Sequence, residues 1–325
     1  MHAPTRRALL ATPIAAAWLA RPAAALLPGA ATLLVPGPAE GSLSAWTRRL
    51  AEALAQGAGT AVRLERSVLG GPDGVTAANR FATAAGPDGR SLLVLTGAAA
   101  QARLVGDPRA RFDPRGWLPV CAMQAPVLVA GRAAMPRPGG RPLRLGLGAA
   151  EAPGSAALLA LDLLGIAATP VLGLGPAEAE AALRQGAVEA IVLQGPGALA
   201  RLRTLGAEAW FRLDALAVPE AAAMPLPEPL SGAPAPLLAA LRAAGACAGL
   251  PACLVLPALT PADLVALWRG AARRWLEEEG RHTPEGVRLL PGVEAMPWLA
   301  ALAPSPEASL AYREWLLRRL RWHPG

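Results

Sequence analysis

At 325 residues the chain exceeds the span that one hydrophobic core usually serves, about 250 to 300 residues, so two domains are the starting expectation. Hydrophobic residues make up 53% and charged residues 17%, which excludes a disordered chain despite 34 glycines and 34 prolines. The net charge of +7 rests on arginine, since there is no lysine, and the arginines are scattered rather than gathered with stacking aromatics, so no nucleic-acid partner is expected.

The N-terminus reads as an address. Arg6-Arg7 precede an apolar run over residues 8–20 and the small-residue stretch Ala23-Ala24-Ala25, the three parts of an export signal. The run is shorter than the roughly 20 residues that cross a bilayer as a helix, so cleavage is expected rather than anchoring. The expectation is a signal over residues 1–31 with cleavage near Ala25. Thr5-Arg6-Arg7-Ala8-Leu9-Leu10 also resembles a twin-arginine signal, and an ordinary Sec signal stays open beside it.

Residues 32–35 form a short aliphatic strand, Pro36-Gly37-Pro38-Ala39-Glu40-Gly41 is loop chemistry, and a helix begins near Ser42. Trp46, Leu50 and Leu54 recur every fourth position and give that helix one buried stripe, and Gly57 ends it. Val62 and Leu64 alternate with Arg63 and Glu65 as in a strand. Gly70-Gly71-Pro72-Asp73-Gly74 opens a helix to about Ala85, and Pro87-Asp88-Gly89 turns the chain into a strand over 91–95. Strand and helix in alternation are the signature of a mainly parallel sheet covered by helices.

A second α/β set follows: strand 143–147, helix 154–164, strand 170–174, helix 177–185 and strand 190–193. The last third is helical. Thr260-Pro261 supplies a cap and a first-turn proline, Leu264, Leu267, Trp268, Ala271 and Trp275 follow at helical spacing, and Ser305-Pro306-Glu307 starts another helix in the same way. The tryptophans on these stripes read as core anchors. Residues 243–262 carry no charge, but Gly245, Gly249, Pro251, Pro257 and Pro261 interrupt them, so no membrane span is expected in the mature chain.

Catalytic patterns are missing. Beyond the signal only His282 and His323 remain, neither beside an elbow serine, and Gly146-Leu147-Gly148 is only a fragment of a phosphate loop. The carboxylates Glu178, Glu180 and Glu277 to Glu279 read as solvated helix faces, and no histidine has metal-ligand spacing to a cysteine pair. A monomeric, non-catalytic protein without a metal or cofactor is expected. Cys247 and Cys253, in Cys-Ala-Gly-Leu-Pro-Ala-Cys, leave two readings open, a local disulfide or two buried thiols.

Two strand-to-helix loops, residues 36–44 and 149–155, are the candidates for chemistry, and the alternative that Ser42, Ser44 and Ser155 only cap their own helices stays open. A helix N-terminus presents unpaired N–H groups and the positive end of the macrodipole, so two such ends facing a cleft would receive a small anion.

The stretch Val35-Pro36-Gly37-Pro38-Ala39-Glu40-Gly41-Ser42-Leu43-Ser44 resembles the first ligand loop, V-P-x-P-P-G-G-x-x-D, of the Bug-type solute receptors of tripartite tricarboxylate transporters. Pro87-Asp88-Gly89-Arg90-Ser91-Leu92-Leu93 is similar to that family's P-D-G-Y-T-L-L, and Asp113-Pro114-Arg115-Gly116-Trp117-Leu118-Pro119-Val120 to its D-P-x-x-D-F-x-P-V. Residues 171–189, 254–263 and 305–312 resemble further family segments.

The resemblance implies a type II periplasmic-binding-protein fold, two α/β lobes with a ligand cleft between them. It also implies a periplasmic location, a small organic acid as ligand, and integral-membrane transporter subunits as partners. A transport-independent sensor on the same fold and a periplasmic enzyme are the alternatives. The lobes are expected at 32–125 and 126–250, with 251–325 returning to the first and a hinge near 120–129 and 254–259. Residues placed at the cleft are Pro38, Glu40, Gly41, Ser42 and Ser44, then Thr96, Gly97 and Ala98 after the 91–95 strand, Gly154 and Ser155 opposite, and Gln194.

Glu40 and Ser44 depart from the family's Gly and Asp, Gly173 stands where it has tyrosine, and Ala150-Glu151-Ala152-Pro153-Gly154-Ser155 replaces its G-N-G-T-x-x-H loop. Two like charges 4 Å apart repel by about 4 kcal/mol at an effective dielectric of 20, so either Glu40 points to solvent or the ligand is not a simple anion. A ligand less polar than a tricarboxylate, such as an aromatic or amino-bearing acid, is expected.

Overall fold

The computed structural model describes residues 28–58, 62–217, 230 and 232–324. Residues 1–27, with Arg6-Arg7 and the expected cleavage near Ala25, lie outside them. The first strand, β1 (Ala30–Pro36), starts inside the stretch assigned to the signal, because Ala30 and Ala31 already pair with Arg63 and Leu64 of β2 (Arg63–Leu69).

Between them, α1 (Ser42–Gly57) buries Trp46, Leu50 and Leu54, the stripe its spacing predicts. Gly57 is the last residue of this helix, as expected, and it also permits close helix approach, since a side chain there would overlap the Ala271 carbonyl of α9 (Ala262–Gly280). Next come α2 (Val75–Ala84), β3 (Ser91–Leu95), α3 (Gly97–Val105) and β4 (Leu118–Gln124). The chain returns to this sheet with β10 (Ala252–Leu256) and β11 (Arg288–Pro291), giving the order β11-β4-β10-β3-β1-β2. β1, β2 and β3 are parallel, whereas β10 runs antiparallel to β3 and β4. Alternation splits the sheet's side chains. Leu92 and Val94 join α1 and α9 in one core, and Leu93 and Leu95 join α2, α3 and α10 (Gly292–Ala301) in another.

The second lobe contains β5 (Val127–Gly131), β6 (Leu143–Gly146), a 3-10 turn (Pro153–Ser155), α4 (Ala156–Leu163), β7 (Ala168–Val171), α5 (Pro176–Gln185), β8 (Ala190–Gln194), α6 (Ala198–Leu205), β9 (Glu208–Arg212) and the short α7 (Asp214–Ala217). Its strand order is β7-β6-β8-β5-β9, with β6, β7 and β8 parallel. Helix α8 (Ala235–Gly249) then leads back to β10. The molecule is thus a type II periplasmic-binding fold of two α/β lobes. The chain crosses between the sheets at 124–127 and again at 250–252. Residues 254–259, expected at the hinge, are instead the end of β10 and the turn after it.

The C-terminal segment does not simply rejoin the first lobe. In α11 (Pro306–Leu320), Tyr312, Trp315 and Leu316 pack into the core formed by β6, α4 and α8, and Trp315 Nε1 donates to Asp162 of α4 at 2.9 Å. Cys121, Cys247 and Cys253 are buried free thiols, so the local disulfide is not formed. No helix among the described residues is long and apolar enough to cross a membrane.

Candidate functional site

The parallel strands of the first lobe end together, and three loops meet there. The Gly37 backbone lies against the Gly70 carbonyl so closely that a side chain at 37 would overlap it. Thr96 is buried, donates its hydroxyl to the Asp73 carbonyl at 2.6 Å, and accepts from the Ala99 amide at 3.1 Å, capping α3. The Gly97 amide donates to Leu250 O at 3.0 Å.

The N-terminus of α1 is open. Its cap residue is Gly41, with φ +106° and no side-chain cap, and the amides of Ser42, Leu43 and Ser44 have no acceptor among the described residues. Pro38, Glu40, Gly41 and Ser42 are exposed. Glu40 forms no ion pair among the described residues, which takes the solvent-facing branch of the two expectations for it.

Ser44 is buried and acts within the loop, donating to the Ala39 carbonyl and accepting from Arg66 Nη2 at 2.9 Å. Arg66, on β2, has no carboxylate within ion-pair distance among the described residues, and its Nε is buried without a partner. Ser44 stands where the resembled receptors carry Asp, so a neutral hydroxyl leaves the Arg66 charge uncompensated beside the positive end of α1.

In the second lobe, the loop after β6 closes on itself. Ser155 is fully buried and donates to Ala149 O at 3.2 Å, while Gly154 is half-buried. Gln194 lies exposed at the end of β8, its carbonyl held by Arg201. The hydroxyls of Ser44, Thr96 and Ser155 are thus satisfied by the protein itself, and the amides at the start of α1 together with Arg66 Nε are the unpartnered donors at this end of the first lobe.

The two lobes touch through a residue outside that set. Gln101, in the second turn of α3, is buried and donates Nε2 to the Glu151 carbonyl at 2.9 Å, while its Oε1 has no partner. Beside this bond lies a cavity of about 460 Å³, lined by Asp73, Ala98 and Gln101 on one side, Glu151 and Pro153 on the other, and Trp322 at one end. Of the residues expected at the cleft, Ala98 lines this cavity and Pro38 to Ser44 do not. Arg66, Gln101 and Trp322 escaped sequence reasoning. Arg66 falls in the same register as Val62 and Leu64 and so breaks the alternation of its strand, a signal present in the sequence, whereas Gln101 is an ordinary helix residue.

No family model and no curated protein matches the sequence. Solved structures do share the fold. A TctC solute binding protein from Polaromonas aligns over 87% of this chain and 98% of its own, with 16% identity and a TM-score of 0.63. MatC from Rhodopseudomonas palustris, with bound malate, aligns over 88% of this chain and 98% of its own, with 23% identity and a TM-score of 0.51. Rpa4515 from R. palustris, with adipate, aligns over 92% and 99%, with 17% identity and a TM-score of 0.51.

Proposed function

We propose that this chain is a diverged periplasmic receptor of the TctC or Bug type that captures a small organic acid and delivers it to integral-membrane transporter subunits. The observation that carries the reading is the pairing of three unpartnered amides at the start of α1 with the uncompensated guanidinium of Arg66 behind Ser44. Both favour a carboxylate over a neutral ligand, and together they need no lysine. The shared fold with proteins holding malate and adipate adds support.

The expected ligand group is one carboxylate at the start of α1, with the rest of the molecule reaching toward Ala98 and the loop at Gly154. Isothermal titration with malate, adipate and citrate tests this. Saturable binding of at least one acid is expected, weakened about tenfold or more in Arg66→Gln, as loss of a charge-assisted hydrogen bond would cause. Failure of every acid to bind, or full affinity in Arg66→Gln, would overturn it.

A further inference from the structure

At the opposite end of α3 from Thr96, three guanidinium groups converge on a cavity of about 400 Å³. They come from separate parts of the chain: Arg103 on α3, Arg115 before β4, and Arg313 on α11. Each is fixed from behind. Arg313 donates Nε to Leu104 O and Nη2 to Arg103 O, both at 3.0 Å. Arg103 donates Nε to Phe112 O at 3.1 Å and sets Nη2 3.4 Å from Asp113, and Arg115 donates Nε and Nη2 to the same carboxylate. The Nη1 group of all three has no partner among the described residues.

The charge is unbalanced as well. Asp113 is shared by two of the arginines, and Asp107, which also lines the cavity, is bound through both oxygens by Arg109. Arg313 has no carboxylate partner among the described residues. Burial, and after it the charge of Arg103, makes Arg313 readier than usual to lose its proton, a cost that a bound anion would offset. Gly106, at φ +89°, makes room for this group, since a side chain there would come within 2.8 Å of Arg313 Nε.

We propose that this cavity is a second binding site, separate from the interlobe cleft, for a doubly charged oxyanion of the phosphate class, either free phosphate or the phosphate group of a small ester. Three guanidinium groups each anchored through one edge, with Nη1 unpartnered among the described residues, suit an anion with three or more oxygens better than a carboxylate with two. The volume also leaves space for the organic part of an ester.

Titration calorimetry of the mature protein at constant ionic strength tests the site, using inorganic phosphate, glycerol 3-phosphate and acetate. Saturable binding of a phosphate species is expected, at least about tenfold weaker in Arg115→Gln and in Arg313→Gln. Arg313 also holds the end of α3, so Arg115→Gln, at a side chain 61% exposed, is the variant whose fold is expected to survive, checked by an unchanged melting temperature. Tighter binding of glycerol 3-phosphate would identify the ester, and tighter binding of phosphate the free ion. Equal phosphate affinity in Arg115→Gln, binding of acetate as tight as phosphate, or only a non-saturable ionic heat would overturn the proposal. Binding of malate is expected to be the same in Arg115→Gln and the parent chain, which separates this site from the receptor cleft.

Discussion

Gln124, the last residue of β4, donates Nε2 to Asp214 Oδ2 at 2.8 Å, and so ties the end of the first sheet to the first residue of α7, just after the last strand of the second. The same buried carboxylate accepts the Val127 amide at 2.9 Å and is gripped by Arg212. One aspartate therefore organises the crossing between the lobes. Asp214→Ala would leave a half-buried guanidinium, a buried amide and an amide N–H without their acceptor, and the expected cost is about 3 kcal/mol in urea unfolding. Gln124→Leu, which removes one donor and leaves the Arg212 pair, is expected to cost less than half as much.

Close packing at the first-lobe loops makes Gly97→Ala a sensitive probe. A methyl group at 97 would overlap the Cys247 carbonyl and crowd Leu250 O at 2.8 Å, and neither backbone can rotate aside. A loss of about 3 kcal/mol is expected in urea unfolding, the upper range for a packed site forced apart. Gly154→Ala is the control, since its nearest neighbour stands 4.0 Å away, and it should change stability little.

Glu40 is exposed beside the proposed carboxylate position, so its repulsion is screened rather than the full value two charges would have inside the protein. Glu40→Gln should therefore raise affinity for a dicarboxylate by only a few-fold at low salt, and by nothing measurable near 1 M salt, where the Debye length falls to about 3 Å. A gain that persists at high salt would mean that the carboxylate meets Glu40 directly.

The fold was largely legible from alternation and turn chemistry. Trp46, Leu50 and Leu54 pointed α1 at its core, and the 91–95 strand has the bounds its flanking turns predict. The course of α11 was not legible, because Tyr312 and Trp315 mark a buried face without saying whose core they enter. At the site, loop composition located Pro38 to Ser44 and Thr96 to Ala98 at strand ends, yet could not tell that Ser155 turns inward or that Arg66 rises behind Ser44. The Ser155 bond closes within its own loop and depends on the loop's conformation, which composition does not fix, while the Arg66 bond depends on where β2 lies relative to the start of α1, which no local window contains.

The three buried thiols give the protein an alkaline limit. Burial raises all three pKa values, that of Cys253 to about 12, with the neighbouring Cys253 adding to the effect at Cys121. In the unfolded chain a thiol titrates near 8.5. Because the folded values are raised, the thiols leave stability intact below the unfolded pKa and remove it as pH rises. Each ionises in the unfolded state first, at about 1.4 kcal/mol per pH unit. Three together should lower unfolding free energy by about 4 kcal/mol between pH 7.5 and 9.5. Urea titrations under reducing conditions at those two pH values measure this directly. The Cys121→Ala, Cys247→Ala, Cys253→Ala triple variant starts from a lower stability but should lose most of that pH dependence. Tyr312, whose pKa burial also raises, enters only above about pH 10 and cannot supply the slope. If the triple variant falls as steeply as the parent between pH 7.5 and 9.5, the thiols are not its source and some other group must titrate there.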